Sequence, residues 1–241
     1  MQNLQRWRGE AQKTDLRKGV ILLPGDWGDV TLKLTEEYGV CFAVLNMANA
    51  FVPGGAYVEG AVAQEENMYR RTDCHFYIGE DEYSADRDRY YPAVTQLLSA
   101  KEGRVYLDVA RPRVCIRGSE DRSRNDLGYR WLSDDQVFPF YELRASAQDL
   151  RDGSPFNAEE ARRRIAAQLD TLREHGIRHT VLSAFGCGAF RNPPEEVARL
   201  YKEEIERRRD DFSVIAFAIF APGYGPDNYG AFTKVFRNEE P

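Results

Sequence analysis

The chain has 241 residues, of which 42% are hydrophobic and 30% are charged. This length and composition predict a single domain with a substantial core, and they argue against disorder throughout the chain. The formal net charge of -6 argues against broad electrostatic capture of nucleic acid, which needs a basic surface, so we expect no direct nucleic-acid partner.

The start of the chain has no apolar core of the kind that a signal peptide needs, and no apolar run is long enough to span a bilayer. The four cysteines are far apart, without a C-x-x-C pair, which is typical of reduced thiols. His175 and His179 flank Gly176, which should end a helix, so they lack the helical spacing of a ligand pair. We therefore predict a cytoplasmic protein without a membrane partner, a metal or any other cofactor.

The first part of the chain differs from the rest in its pattern. We interpret residues 1–38 as an accessory segment packed on the core, and residues 39–241 as one globular domain. Within the first segment the pattern predicts a charged helix at residues 3–13 and an apolar patch at residues 20–24. A turn with glycine and aspartate and a second strand-like segment should follow.

Beyond residue 38, strands and helices alternate. Several predicted strands are apolar at both alternating positions, as a sheet covered on two faces requires. The strands are predicted at residues 41–45, 105–117, 138–146, 179–185 and 214–220, and the helices at 61–71, 93–101, 157–174 and 194–209. This order predicts an α/β fold with three layers and largely parallel strand pairing. Residues 73–91 and 118–136 do not fit this core and are interpreted as functional covers or mobile surface.

The motif with the most candidate ligand-binding residues follows the strand predicted at 41–45. Two amides, Asn46 and Asn49, precede the turn Gly54-Gly55-Ala56. Adjacent glycines permit a positive φ and let backbone N–H groups converge on an oxyanion near a helix N-terminus. Without other motifs, a tight turn that binds no ligand explains the same residues better.

Seven residues separate that turn from Gln64-Glu65-Glu66, which opens the next predicted helix. Acids at a helix N-terminus can simply complement the helix dipole. Neighbouring helical residues diverge by about 100°, so Glu65 and Glu66 cannot both point at one atom. If both act on a ligand, they must contact different parts of it.

A second glycine-containing loop follows the strand predicted at 179–185. It runs Gly186-Cys187-Gly188-Ala189-Phe190, at the sheet edge where open α/β sheets bind ligands. The glycines could form a second anion-binding loop, and Phe190 could cover a sugar. Cys187 has no clearly placed histidine partner, so we interpret it as a packing residue rather than a nucleophile.

The last candidate cluster lies at residues 220–232, where Phe220 and other aromatic side chains alternate with turn residues. Such a segment suits one wall of a slot in which a base stacks. An aromatic turn that fastens the carboxyl terminus to the core is an equally good interpretation.

Taken in this order, the motifs resemble those of macrodomain-type poly(ADP-ribose) glycohydrolases of the compact microbial type. The resemblance extends over roughly residues 39–236. It implies a macrodomain-like α/β/α fold with a mixed, largely parallel central sheet.

The resemblance also implies roles for individual residues. Asn46, Asn49 and Gln64 would belong to the ligand-binding set, with Asn49 on hydroxyls of the ribose that is attacked. The turn Gly54-Gly55-Ala56 and the loop Gly186-Cys187-Gly188-Ala189 would embrace the diphosphate, and Phe190 would press on the ribose. Glu66 would be the catalytic acid and base, Glu65 would contact a neighbouring ribose hydroxyl, and Phe220 would form the adenine wall.

One position departs from the family pattern, which usually has three glycines where this chain has Ala56 as the third residue. If this position needs a positive φ, alanine costs about 1 kcal/mol or more. A Cβ here could also crowd the diphosphate, which keeps a pure binding function open.

The predicted function is hydrolysis of the ribose glycosidic bonds of poly(ADP-ribose) to release ADP-ribose. Two alternatives remain. The substrate could be a protein that carries a single ADP-ribose, for example on arginine, or the chain could bind ADP-ribose without cleaving it.

Overall fold

The computed structural model describes residues 18–221, 223 and 225–237. The strands in this part of the chain are β1 (Gly19–Pro24), β2 (Ala43–Met47), β3 (Tyr83–Ser84), β4 (Arg89–Tyr90), β5 (Tyr106–Leu107), β6 (Arg113–Cys115), β7 (Phe138–Ala145), β8 (His179–Leu182) and β9 (Val214–Ile219). The α-helices are α1 (Trp27–Tyr38), α2 (Gln64–Arg71), α3 (Pro92–Leu98), α4 (Ala158–Glu174), α5 (Pro194–Glu206) and α6 (Asn228–Arg237). The helix predicted at residues 3–13 lies outside the described residues.

The central sheet has the strand order β1-β9-β8-β2-β7-β5, and β6 also pairs with β7. The pairs from β1 across to β7 are all parallel. Only β5 and β6 run antiparallel to β7. The prediction of a mixed, largely parallel sheet is therefore confirmed.

Both faces of this sheet are covered by helices. Successive residues of β9 point alternately to the two faces, so Phe217 packs among residues of α4, α5 and α6. Its neighbour Ala216 packs among residues of α1 and α2, including Trp27 and Met68. A strand that is buried on both faces must be apolar at every position, as β9 is. The three-layer α/β/α arrangement is confirmed.

The first described elements belong to this core. β1 pairs with β9 along its whole length, from Gly19 opposite Val214 to Pro24 opposite Ile219. The segment predicted to be strand-like after β1 is instead the helix α1, so that prediction was wrong. Asp26 caps α1 by accepting hydrogen bonds from the backbone N–H groups of the second and third residues after it, at 2.7 and 2.9 Å. The division at residue 38 stays a prediction, because residues 1–17 lie outside the described part.

One further prediction was wrong in detail. The strand predicted at 105–117 is divided into β5 and β6, because the Asp108 carboxylate accepts the N–H groups of Ala110 and Arg111 and forms a turn. The aromatic segment near the carboxyl terminus continues as the helix α6. Its Phe232 is fully buried against the ring of Phe217, which agrees with the interpretation that this segment fastens the carboxyl terminus to the core. The other predicted strands and helices are present with bounds shifted by up to three residues.

A buried polar cluster lies beneath the carboxyl end of β2. Glu142 of β7 is fully buried and accepts a hydrogen bond from the side-chain amide of Asn46 at 2.9 Å and from Nε of Arg113 at 3.1 Å. Arg144, also fully buried, donates to the Tyr90 hydroxyl at 3.1 Å. These bonds join the central sheet to the segment 73–91, so that segment is anchored to the core.

Helices that are both long and apolar enough to cross a membrane do not occur in the described residues. Cys41, Cys74, Cys115 and Cys187 form no disulfide bond in the described part of the chain.

Candidate active site

The candidate site lies at the edge of the sheet where the parallel strands end. Several of these strands pass into a loop there: residues 48–63 follow β2, 146–157 follow β7, 183–193 follow β8, and residues 220–221 follow β9. Parallel strands bring these loops to one edge, where open α/β sheets bind ligands. Backbone bonds hold the edge together, such as Ala48 N–H to the Ala145 carbonyl and Gly25 N–H to the Ile219 carbonyl.

Glu65 holds the loop after β2 in place. Its carboxylate is 3% exposed and accepts the backbone N–H of Asn49 at 2.6 Å and that of Gly54 at 3.1 Å. Burial raises the pKa of Glu65 well above its ordinary value, although the two N–H groups act in the opposite direction. The structure thus assigns Glu65 to the support of the loop.

Glu66 lies at the mouth of the same loop and is partly exposed. Its Oε1 accepts the backbone N–H of Ala56 at 3.2 Å. Glu65 and Glu66 therefore contact different residues, as their divergence on the helix predicts. Of the two acids, only Glu66 is open to a ligand in this conformation.

The glycine turn is not an open anion-binding loop. Gly54 and Gly55 have positive φ angles of 76° and 58°, so the glycines are required there. Gly54 donates its N–H to Glu65, Gly55 donates to the Val52 carbonyl at 3.1 Å, and Ala56 donates to Glu66. Acceptors within the protein occupy these three N–H groups in this conformation, so the binding of an oxyanion by this turn stays a prediction.

Ala56 has no left-handed backbone. The residues other than glycine with a positive φ, within the described ranges, are Asp88, Ala100, Leu127 and Arg191. Alanine in place of the third glycine therefore carries no strain of this kind.

The three amide side chains of the first motif differ in exposure and in their partners. Asn49 is partly exposed, and its Oδ1 accepts the N–H groups of Phe51 and Val52 at 2.8 and 3.1 Å, which leaves Nδ2 outside these bonds. Gln64 fastens α2 to β2, because it accepts from Met47 N–H at 2.9 Å and donates to the Leu45 carbonyl at 2.7 Å. Asn46 is fully buried and its side-chain amide donates to Glu142, so this side chain is closed to solvent.

The loop after β8 is shaped by Gly186 and Asn192. Gly186 has a φ of 74°, and a Cβ on it would lie 2.5 Å from the Cβ of Ala147. The buried side-chain amide of Asn192 donates to the carbonyls of Gln148 at 2.7 Å and of Gly186 at 3.1 Å. This amide therefore joins the loops after β7 and β8.

The same loop presents backbone N–H groups to solvent. Gly188 and Ala189 are exposed, and no acceptor in the described part of the chain is bonded to the N–H of either residue. Cys187 is 1% exposed, and burial raises the pKa of its thiol. The side chain of Cys187 is thus placed for packing, whereas the backbone N–H groups of Gly188 and Ala189 are open to solvent.

Phe190 carries a charged partner that the sequence analysis did not single out. The guanidinium of Arg151 lies over the Phe190 ring, 5.0 Å from its centroid. Leu150 donates its N–H to the Phe190 carbonyl at 3.1 Å. The signal that could have found Arg151 is the charged turn after a buried parallel strand, since such turns reach the ligand edge.

Phe220 follows β9 and is 43% exposed. The guanidinium of Arg122 lies 4.9 Å from the centroid of its ring. Arg122 also donates to Glu120 at 2.5 Å, and Glu120 accepts from the side-chain amide of Asn67 at 3.2 Å. The segment 118–136 therefore reaches the candidate adenine wall and is tied there to α2.

Asp26 is another residue that the sequence analysis missed. It follows β1, next to the end of β9, and its Oδ2 pairs with the buried guanidinium of Arg71 at 2.7 Å. Its position after an apolar strand was the available signal. The described residues contain no cluster of three or more histidine, cysteine, aspartate or glutamate side chains that could hold a metal ion.

Comparison with known proteins gives a family match and structural matches. Residues 10–98 match the family model described as microbial-type PARG, catalytic domain, where PARG is poly(ADP-ribose) glycohydrolase. No curated protein sequence matches the chain.

The fold is similar to that of two bacterial poly(ADP-ribose) glycohydrolases. The enzyme from Thermomonospora curvata is 22% identical with a TM-score of 0.66, over 95% of this chain and 79% of that chain. The enzyme from Deinococcus radiodurans in complex with ADP-ribose is 21% identical with a TM-score of 0.65, over 92% of this chain and 86% of that one. The resemblance that the motifs predicted is confirmed: residues 10–98 match the microbial-type PARG family, and the chain has the fold of bacterial poly(ADP-ribose) glycohydrolases.

Proposed function

We propose that this chain is a hydrolase that cleaves the ribose glycosidic bonds of poly(ADP-ribose) and releases ADP-ribose. The observation that carries the proposal is the position of Glu66, a partly exposed carboxylate held by the Ala56 N–H at the ligand edge of the sheet. Similar structures were solved with ADP-ribose and with the inhibitor ADP-HPD, which fits a nucleoside-diphosphate sugar as ligand. A cytoplasmic location fits cysteines that are not joined in disulfides.

In the proposed reaction, Glu66 acts first as an acid. Its carboxyl group donates a proton to the leaving oxygen while the bond from that oxygen to the anomeric carbon breaks, through an oxocarbenium-like state. The resulting carboxylate then accepts a proton from water, whose oxygen forms the new bond to the anomeric carbon. The acid is restored, and the net change is one water consumed for each bond cleaved.

The remaining residues would bind and orient the sugar. The free N–H groups of Gly188 and Ala189 suit the diphosphate oxygens, because exposed backbone N–H groups in a glycine-containing loop favour anions. Phe190 would cover the ribose, and Nδ2 of Asn49 would donate to a ribose hydroxyl. Glu65 would act through the loop, since both of its oxygens already accept backbone N–H groups.

The test is an activity assay with matched variants. Wild-type protein should release ADP-ribose from poly(ADP-ribose), and Glu66→Gln should lower kcat by about 100-fold or more, because a side chain that cannot exchange a proton replaces the acid. Glu59→Gln changes an exposed acid of the same loop and should leave kcat unaltered.

The other substrates separate the alternatives. Turnover only of arginine-linked mono-ADP-ribosyl protein would overturn the chain-cleaving proposal. If the chain binds ADP-ribose tightly but turns over neither substrate, it is a module that binds ADP-ribose without cleaving it.

A further inference from the structure

Arg151 is held in a fixed position beside Phe190. Its Nε and Nη2 donate to the two oxygens of Asp149 at 2.8 and 2.5 Å, and its guanidinium lies over the Phe190 ring at 5.0 Å. The backbone bond from Leu150 to the Phe190 carbonyl ties the two loops together. A planar guanidinium with two such partners keeps its orientation better than a free surface arginine.

The charge of Glu66 also acts on Arg151. The pKa of Arg151 is raised, first by its hydrogen bond with Asp149, then by the charge of Asp149 and by the charge of Glu66. A charge on α2 can act on Arg151 only if the two groups are close, because solvent screens distant pairs. Arg151 therefore lies within electrostatic reach of the proposed acid, on the loop that contacts Phe190.

We propose that Arg151 binds the leaving part of the substrate, the adjacent ADP-ribose unit of a poly(ADP-ribose) chain, and thereby sets the preference for a polymer. This inference rests on the proposed function. In a polymer, the leaving oxygen belongs to a nucleotide whose own diphosphate is anionic. In an arginine-linked protein, the leaving group is a cationic guanidinium, which a fixed positive charge disfavours.

The pairing with Asp149 leaves room for this contact. The two bonds to the carboxylate use Nε and Nη2, so Nη1 takes part in neither and can donate to a phosphate or a hydroxyl. The Arg151 side chain is 55% exposed, so a ligand can reach it. Because the site is open to solvent, we expect a moderate effect that weakens with salt.

The first experiment measures binding in a Glu66→Gln background, where the substrate is not consumed. The probes are ADP-ribose and a dimer of two linked ADP-ribose units. Arg151→Ala should weaken binding of the dimer about fivefold to tenfold and that of the monomer less than about twofold. Arg151→Lys should recover part of the lost affinity, because it keeps the charge.

The matched control is Arg124→Ala. Arg124 forms the same pair with an aspartate two residues away, through Nε and Nη2 at 3.0 Å each, and its side chain is 59% exposed. The Arg124→Ala variant should therefore bind the ADP-ribose monomer and the dimer with unaltered affinity.

The second experiment compares substrates in the active enzyme. Arg151→Ala should lower kcat/KM on poly(ADP-ribose) by about fivefold to tenfold and should not lower kcat/KM on arginine-linked mono-ADP-ribosyl protein. Equal losses with both probes or both substrates, without recovery in Arg151→Lys, would overturn the inference and leave Arg151 a support for Phe190. A folded protein that binds neither probe would overturn the proposed function, and the inference with it.

Discussion

A Cβ atom on Gly55 would lie 2.4 Å from Oε1 of Glu66. Real Cβ atoms do not approach an oxygen so closely, so any side chain at position 55 must displace the carboxylate. Gly55 therefore sets the position of the proposed acid, in addition to permitting the turn.

This contact predicts that Gly55→Ala loses activity beyond its loss of stability. The displaced carboxylate should lower kcat on poly(ADP-ribose) by about 100-fold, because small misplacements of a catalytic group have effects of this size. The control is Gly60→Ala, which has a positive φ of 90° in the same loop but no atom within 4 Å of the added Cβ. Both variants should lose about 1 kcal/mol of unfolding free energy, measured by urea denaturation. Equal kcat values in the two variants would contradict the positioning role of Gly55.

Glu65 predicts a particular pH dependence of stability. Its folded-state pKa is raised by burial, so the folded protein binds more protons than the unfolded chain above about pH 4.3. The contribution of Glu65 to the unfolding free energy is therefore complete below that pH and is lost as the pH rises through the raised pKa. Urea denaturation between pH 4 and about pH 8 gives the unfolding free energy as a function of pH. In Glu65→Gln, this free energy should fall less steeply with rising pH than it does in the wild type.

The same variant should be less stable than the wild type at acidic pH, where the contribution of Glu65 is complete. A glutamine places an NH₂ group against one of the two backbone N–H groups that Glu65 now accepts, which costs about 1–3 kcal/mol. The control is Glu36→Gln, at an exposed position of α1, which should retain the pH dependence of the wild-type unfolding free energy. If the unfolding free energy of Glu65→Gln depends on pH as that of the wild type does, Glu65 stays ionised on burial.

The sequence was sufficient for the sheet because its signals are local. β9 is a run of apolar residues bounded by turns, and the helix α4 begins after an asparagine that caps it and ends before a glycine. The helix α1 was missed although Asp26 is a capping residue, because the short segment between two glycines also suits a strand. Local patterns could not decide between these structures.

The site was predictable only in part, for a physical reason. Glycines and acids next to strand ends identify the loops, but which N–H group a carboxylate accepts depends on the folded backbone. The Glu65 bonds to Asn49 and Gly54 cannot be read from spacing, and neither can the burial of Asn46 on Glu142, 96 residues away. A polar residue on a strand suggests a solvent-exposed position. Its burial can be predicted only when the hydrogen-bond partner, which is distant in sequence, is known.

The buried cluster around Glu142 predicts a large loss of stability. In Glu142→Gln, the fully buried guanidinium of Arg113 loses its partner carboxylate at 3.1 Å, and the unfolding free energy should fall by about 3–5 kcal/mol. Glu174→Gln removes one member of an exposed pair with Arg104 and should cost less than about 1 kcal/mol. Urea denaturation at neutral pH measures both. Asp108 also pairs with Arg113, at 3.4 Å. If the unfolding free energy of Glu142→Gln falls as little as that of the control, Asp108 alone compensates the charge of Arg113.

The contact between Arg122 and Phe220 predicts competition with adenine. If adenine stacks on Phe220, it must displace the guanidinium that lies 4.9 Å from the ring centroid. Removing that guanidinium in Arg122→Ala should strengthen binding of AMP about twofold to fivefold and leave ribose 5-phosphate unaffected, as calorimetry can measure. Arg117→Ala is the matched control, because Arg117 covers Trp131 at 4.3 Å in the same part of the chain. Weaker AMP binding in Arg122→Ala would mean that Arg122 holds the base instead of competing with it.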